Sequence, residues 1–247
     1  MSGIILYHYT HKNALINILK NRTIWATNFK YLKDNEQISN LCRKLKYLNP
    51  DNIYVQKIVD LSFSLQSNKG VFSLSEKGDL LSQWIHYGEF AIGFNQDKLN
   101  ICLEKQGFYK LQKCIYNEDL QNKIILDSIS NYDSFNIEKF LSNIGLIFKN
   151  IKHAQENEWR AISTSLAVTS SSKYDKWKIR ITPSRHILEY LEINLSDCFP
   201  IEEIIVSSEK DFEKEKYSLE HIIAMNYGND SLNNIKIKKS SIPFRKI

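Results

Sequence analysis

Three short segments of this chain pair chemically capable side chains with strand-like apolar neighbours. They are Leu6-Tyr7-His8-Tyr9-Thr10, Phe72-Ser73-Leu74-Ser75 with Trp84-Ile85-His86-Tyr87-Gly88, and Glu156-Asn157-Glu158-Trp159-Arg160. Together they supply an imidazole, hydroxyls, aromatic faces, carboxylates and a guanidinium. That set can hold a nucleotide sugar and stabilise positive charge developing on it. Glu158 carries the heart of this chemistry. A carboxylate at a ribose 2′-hydroxyl stabilises an oxocarbenium-like sugar, and preorganised electrostatics of this kind contribute on the order of a few kcal/mol or more per group.

Alternation along a strand puts His8 and Thr10 on one side and Tyr7 and Tyr9 on the other. His8 would hydrogen-bond a ribose hydroxyl or an amide, with Thr10 in support. The competing structural roles are a histidine satisfied by backbone and a helix-capping threonine. Ser73 and Ser75 share a face and would brace the sugar or orient the acid. Tyr87 would stack on a planar ring, and Trp84 lies one helical turn earlier, as a platform or as core. If the strand is regular at Glu156, it faces the same way as Glu158. Arg160 shares that face as a fork of donors for pyrophosphate, or as an ion-pair partner of Glu158. Glu158→Gln is then expected to abolish the chemistry and leave folding intact. Arg180 and Arg185 add a basic rim; His86 and His153 are further titratable groups without a constrained role.

The elements that must position these residues read as an α+β chain. Strands are expected near 3–9, 23–27, 70–75, 89–94 and 107–116, then at 159–165, 177–182, 188–195, 203–206 and 234–238. Helices fall between them, with an apolar face at Ala14, Leu15, Ile18 and Leu19 and a stop at Asn21. Helical insertions are expected near 36–66 and 117–152, the first interrupted at Asn49-Pro50. A Ser-rich loop covers 163–172. With 247 residues, 43% hydrophobic and 25% charged, the chain suits one globular domain spanning 1–247 and not a disordered segment. Neither GxGxxG nor GxxxxGK[ST] occurs, which removes the main support for Rossmann and P-loop readings.

The net charge of +5 permits an anionic ligand or nucleic acid without demanding one. Lys236 to Lys239 read as an edge strand that blunts aggregation. The four cysteines, Cys42, Cys102, Cys114 and Cys198, form no CxxC pair, so reduced, mostly buried thiols and no metal site are expected. No signal-peptide pattern or long apolar run is present, and a cytoplasmic protein without membrane contact is expected.

With these segments in this order, the chain resembles the DUF2971 proteins, a bacterial group with an ADP-ribosyltransferase-like fold. The resemblance extends to Ile18-Leu-Lys-Asn21, Ile24-Trp-Ala-Thr-Asn28, Leu32-Lys-Asp-Asn-Glu36, Ala91-Ile-Gly-Phe94 and Ser241-Ile-Pro-Phe-Arg245. It departs at Lys33-Asp34-Asn35, where Asn-Asp-Pro is common, and at Ser207-Ser208, where Gly-Pro is common. The resemblance implies a split two-sheet core with inserted and flanking helices, and an NAD cleft between the sheets. It implies an Arg or His, a Ser/Thr or Tyr, and a Glu on three strands. Carried onto this chain, Glu158, Glu156 and Tyr87 would be catalytic. His8, Tyr9, Thr10, Ser73, Ser75, Trp84 and Arg160 would bind NAD. ADP-ribose would pass to a nucleic-acid or protein acceptor, or to water, in a toxin or phage-defence setting with a possible partner protein. The alternatives are a nucleotide- or nucleic-acid-binding module of the same fold without turnover, and a metal-independent nuclease using His8 or His86 as base.

Overall fold

A computed structural model describes residues 3–32, 35–48, 50–51, 69–130, 144–164, 176–182, 185–228 and 234–243. Among them the chain forms a mixed α/β structure around one large sheet. Its strands are β1 (Ile5–Thr10), β2 (Thr23–Asn28), β3 (Gly70–Ser75), β4 (Phe90–Asn95) and β5 (Gln112–Lys113), then β6 (Glu158–Ile162), β7 (Lys178–Ile181), β8 (Ile187–Asn194), β9 (Ile201–Val206) and β10 (Lys236–Lys239). The order is β10-β9-β4-β1-β3-β2-β8-β7, with β6 on β3 and β5 on β6. All pairings are antiparallel except β10 with β9.

β3 is the branch point. One edge pairs with β6 from Val71 to Ser75. The other edge is shared: β2 joins it at Gly70 and Val71, and β1 joins it at Ser75 through Tyr7. β1 and β2 therefore part around Ser73 and leave a fork in the sheet.

The two faces of the β3–β6 ribbon bury different cores. Phe72, Leu74 and Ala161 join the main cluster with Leu6, Leu15, Leu19, Ile92 and Phe94. That cluster is covered by α1 (Lys12–Asn21), α4 (Gln96–Lys105) and α6 (Phe212–Tyr227), whose apolar stripes face it. Val71 and Ile162 face the other way, against Leu146, Phe148, Ile125, Leu41 and Leu45. Here α2 (Asn35–Leu48) and α5 (Glu118–Ser130) supply the cover. A third group joins Tyr9, Ala91 and Ile205 to Trp84 of α3 (Leu81–Tyr87).

Several expectations shift. Thr10 does not cap α1; His11 occupies the cap position, and Arg22 in left-handed geometry (φ 53°) ends the helix after Asn21. The strand expected over 107–116 contracts to Gln112–Lys113 plus isolated bridges at Phe108 and Ile115. The helical region expected through 152 gives α5, then 3-10 turns at Ile144–Ile147 and Ile151–Glu156. The second half of the 36–66 insertion, Phe135, Phe140, Leu141 and most of the Ser-rich loop lie outside the described residues. Cys102 and Cys198 are joined in a disulfide, which corrects the expectation of four reduced thiols. Cys42 and Cys114 are not disulfide-bonded.

Candidate functional site

His8 sits where β1 leaves β3. Its Nδ1 lies 3.1 Å from the carbonyl oxygen of Ser73. A carbonyl only accepts, so Nδ1 carries the proton and Nε2 presents a lone pair. The ring lies 4.6 Å, centroid to centroid, from Phe72. Burial depresses the imidazole pKa; the Ser73 bond opposes this, the Arg180 charge adds to it, and the value falls to about 4. His8 is therefore a neutral acceptor at physiological pH.

On the far flank of the fork, β2, β7 and β8 build an aromatic and cationic corner. Trp25 and Tyr190 stack with centroids 4.5 Å apart, at 33°. Arg180 lies 5.4 Å from the Trp25 ring centroid and donates from Nη2 to Thr27 Oγ1 at 3.1 Å. The sequence marked Arg180 only as rim and gave Trp25 and Tyr190 no role. Trp25 did stand in a motif of the resemblance, and alternation with the buried Ile24 and Ala26 could have marked it as facing away from the main core.

Glu158 belongs to a different place. Register aligns Tyr7, Ser75 and Glu158 in one row across three strands, so they share a face. Phe72, which touches His8, points to the other face with Ala161. The expected meeting of His8 with Glu158 in one hollow is thus not what the structure has; the acid and the imidazole lie on opposite faces of the β3–β6 ribbon.

Glu158 is also fully engaged. Lys149 Nζ donates to its Oε2 at 2.5 Å and Arg160 Nε to its Oε1 at 2.7 Å. The hydroxyl of Tyr116 accepts from the Glu158 backbone N–H at 2.8 Å. Burial alone would raise the carboxyl pKa, but the Arg160 and Lys149 charges override it and hold it at about 2. Arg160, 1% exposed, spends Nη1 on the Leu146 carbonyl and Nε on Glu158, so its assignment to pyrophosphate is corrected to an interior ion pair. Glu156 is not on a regular strand with Glu158. It ends a 3-10 turn, Asn157 intervenes in left-handed geometry (φ 42°), and its carboxylate binds Lys149 and His153.

The other candidates are similarly committed. Tyr9 donates to the Lys77 carbonyl and accepts from Leu80 N–H. Ser75 donates to the Glu156 carbonyl and accepts from Lys77 N–H. Trp84 is core, edge-on to Tyr9, with Nε1 donating to Asp79. Thr10 is buried and Ser73 half-buried. Tyr87 is half exposed at the end of α3 and meets the His86 ring edge-on.

A cavity of about 380 Å³ lies on the Glu158 side, lined by Lys149, Tyr116, Phe148, Gln121, Arg43 and Lys44 among others. Neither His8 nor Glu158 lines it, but Lys149 and Tyr116 connect it to the acid. Among the described residues no group of His, Cys, Asp and Glu side chains has metal-binding geometry, and no helix is long and apolar enough to cross a membrane.

Residues 83–161 match the model of DUF2971, a family described as a protein of unknown function. The match supports the family resemblance over that stretch, which runs from α3 to β6. No curated protein and no solved structure matches the chain.

Proposed function

We propose that this chain binds NAD, or a closely related nucleotide, at the fork between β1 and β3, as a module of the ADP-ribosyltransferase-like kind. One observation carries the reading: a neutral imidazole stands where β1 parts from β3, with an acceptor nitrogen that no described residue engages. Nε2 of His8 suits an amide N–H of nicotinamide or a ribose hydroxyl, either of which donates. The layout is compatible with the cleft that the resemblance implies. β1, β3 and β6 are neighbours and carry the histidine, the Ser-x-Ser and the glutamate in turn.

Between a binding module and an enzyme, the geometry favours the module. Turnover needs a carboxylate at the sugar, and Glu158 faces away from His8 into two cations. The transferase or glycohydrolase reading stands second, on a specific observation. The cavity reaches Lys149 and Tyr116, both in contact with Glu158, and offers an approach from that side. An ionised, preorganised acid there would stabilise an oxocarbenium-like ribose, and ADP-ribose would pass to a nucleic-acid, protein or water acceptor.

Calorimetric titration of NAD into wild type and His8→Ala tests the first reading. Wild type is expected to bind, and the variant to bind about tenfold more weakly for one lost hydrogen bond in a desolvated site. Absence of binding to wild type, or equal affinity in His8→Ala, rejects it. Incubation with labelled NAD and DNA, RNA or cell lysate separates the two readings. Label transferred or NAD consumed by wild type puts the enzyme first.

A further inference from the structure

Buried charges are retained in folded proteins when they are paired or hydrogen-bonded, because desolvation is otherwise uncompensated. The interior cations Lys149 and Arg160 obey this by sharing Glu158. Lys69 pairs with no carboxylate among the described residues but donates to the Ser163 carbonyl and lies over the Tyr109 ring. Arg180 is half-buried, and one of its N–H groups goes unmet. Among the described residues no carboxylate pairs with it, and its Nε is sealed from solvent with no acceptor. Its neutral contacts are Thr27 Oγ1 and the Trp25 face.

The two acids of the neighbouring β8 are already taken. Glu192 of β8 binds Lys178. Glu189 of β8 accepts from Lys30 Nζ at 2.8 Å and from Asn28 Nδ2 at 2.9 Å. Thr27 Oγ1 and the Trp25–Tyr190 stack hold the guanidinium in place beside the fork.

We propose that Arg180, held by Thr27 and Trp25, is an anion site that receives the phosphate groups of a nucleoside diphosphate moiety. A guanidinium fork matches phosphate oxygens bidentately, and a desolvated one does so with little competing water. The half-buried Trp25 ring, backed by the buried Tyr190, supplies a stacking surface for the attached base or sugar. The proposal rests on the fork reading above for the class of ligand: Trp25 faces away from the main core and His8 towards it, and the Arg180 charge that acts on the His8 imidazole does so across the fork between them.

The test titrates inorganic pyrophosphate, ADP, adenosine and NAD into wild type, Arg180→Gln and Arg180→Lys, followed by calorimetry and tryptophan fluorescence. Pyrophosphate and ADP are expected to bind wild type and quench its fluorescence. Arg180→Gln is expected to bind each about tenfold to a hundredfold more weakly, for the loss of charge-assisted bonds. Arg180→Lys is expected to fall between, because it keeps the charge and loses the fork. Adenosine binding, which lacks phosphate, is expected to be the same in all three proteins. Unfolding midpoints in urea are expected to stay equal or rise in Arg180→Gln, as an N–H sealed from solvent without an acceptor is removed. A clear drop in midpoint with unchanged ADP affinity would identify a purely structural arginine and overturn the site. Wild type that binds neither pyrophosphate nor ADP overturns it as well. Should Arg180→Gln not fold, Arg180→Lys alone decides: undiminished ADP affinity rejects the fork geometry. The two proposals fail separately. NAD that binds wild type and Arg180→Gln alike removes the anion site and keeps the fork, whereas ADP bound through Arg180 with NAD ignored keeps the anion site and removes NAD.

Discussion

Glu158 shows how a residue type suited to chemistry can serve structure instead. Its two oxygens satisfy two buried cations, and Tyr116 secures its backbone. Glu158→Gln removes the charge and leaves Lys149 and Arg160 under-compensated in the interior. The expected loss of stability is about 3–5 kcal/mol, the usual result of removing one partner of a buried pair; equilibrium urea unfolding measures it. An unchanged midpoint would return the acid to the role first expected from sequence, with folding indifferent to its charge. The pH dependence follows in sign. The folded pKa of about 2 lies below the unfolded value of 4.5, so Glu158 stabilises above about 4.5 and this is lost as pH falls towards 2. His8 acts at higher pH. Its folded pKa of about 4 lies below 6.5, so the unfolded chain binds more protons in that interval and stability declines from pH 6.5 downwards. Acid titration of His8→Gln is expected to lack the decline between 6.5 and 4 and keep the one below it.

At the scale of elements, the join between α3 and β4 is tight: only Gly88 and Glu89 separate them, and the turn falls on Gly88. Its φ is +131°, and a Cβ would come within 2.5 Å of the Thr10 carbonyl at the end of β1. Neither obstacle is a flexible side chain. Gly88→Ala is expected to cost about 2–4 kcal/mol through backbone strain and clash, read as a fall in the thermal midpoint. A second element, the start of α3, is tied to the far end of the chain. Asp79 accepts from Trp84 Nε1, the Ser240 hydroxyl and both donors of Ser241. That holds β10 and the segment after it against α3, although β10 pairs only with β9. Asp79→Ala is expected to speed amide hydrogen exchange in β10 selectively; exchange unchanged there would show that the β9 ladder alone holds the strand.

For the whole molecule, the Cys102–Cys198 bridge ties α4 to the connection between β8 and β9 across a separation of 96 residues. A loop that long carries about 4.7 kcal/mol in the chain-entropy picture of cross-linking. Alkylation under non-reducing conditions is expected to label Cys42 and Cys114 after unfolding and leave the other pair unlabelled. Adding reductant is expected to lower the urea midpoint of wild type and leave Cys198→Ser unaffected. Four labelled thiols without reductant would overturn the pairing.

The periodicity of apolar residues was enough to place most strands, α1, α3, α4 and α6, because each buries a stripe or alternate positions that recur locally. Ile24 and Ala26 inward with Trp25 outward is an example, and so is the Leu15, Ile18 and Leu19 stripe. The residue types of the candidate site were legible too: His8 does stand at a strand margin, and Glu158 and Arg160 do share a face. Only the tertiary structure decided what those groups do. Whether two strands meet at Ser73 or part there depends on pairing between segments dozens of residues apart, which no local pattern encodes. That pairing sends His8 to one face and Glu158 to the other, hands the acid to Lys149, and leaves the Arg180 guanidinium beside Trp25 with one hydroxyl contact. A side chain's chemistry is set by its type, but its availability is set by which neighbours the fold has already given it.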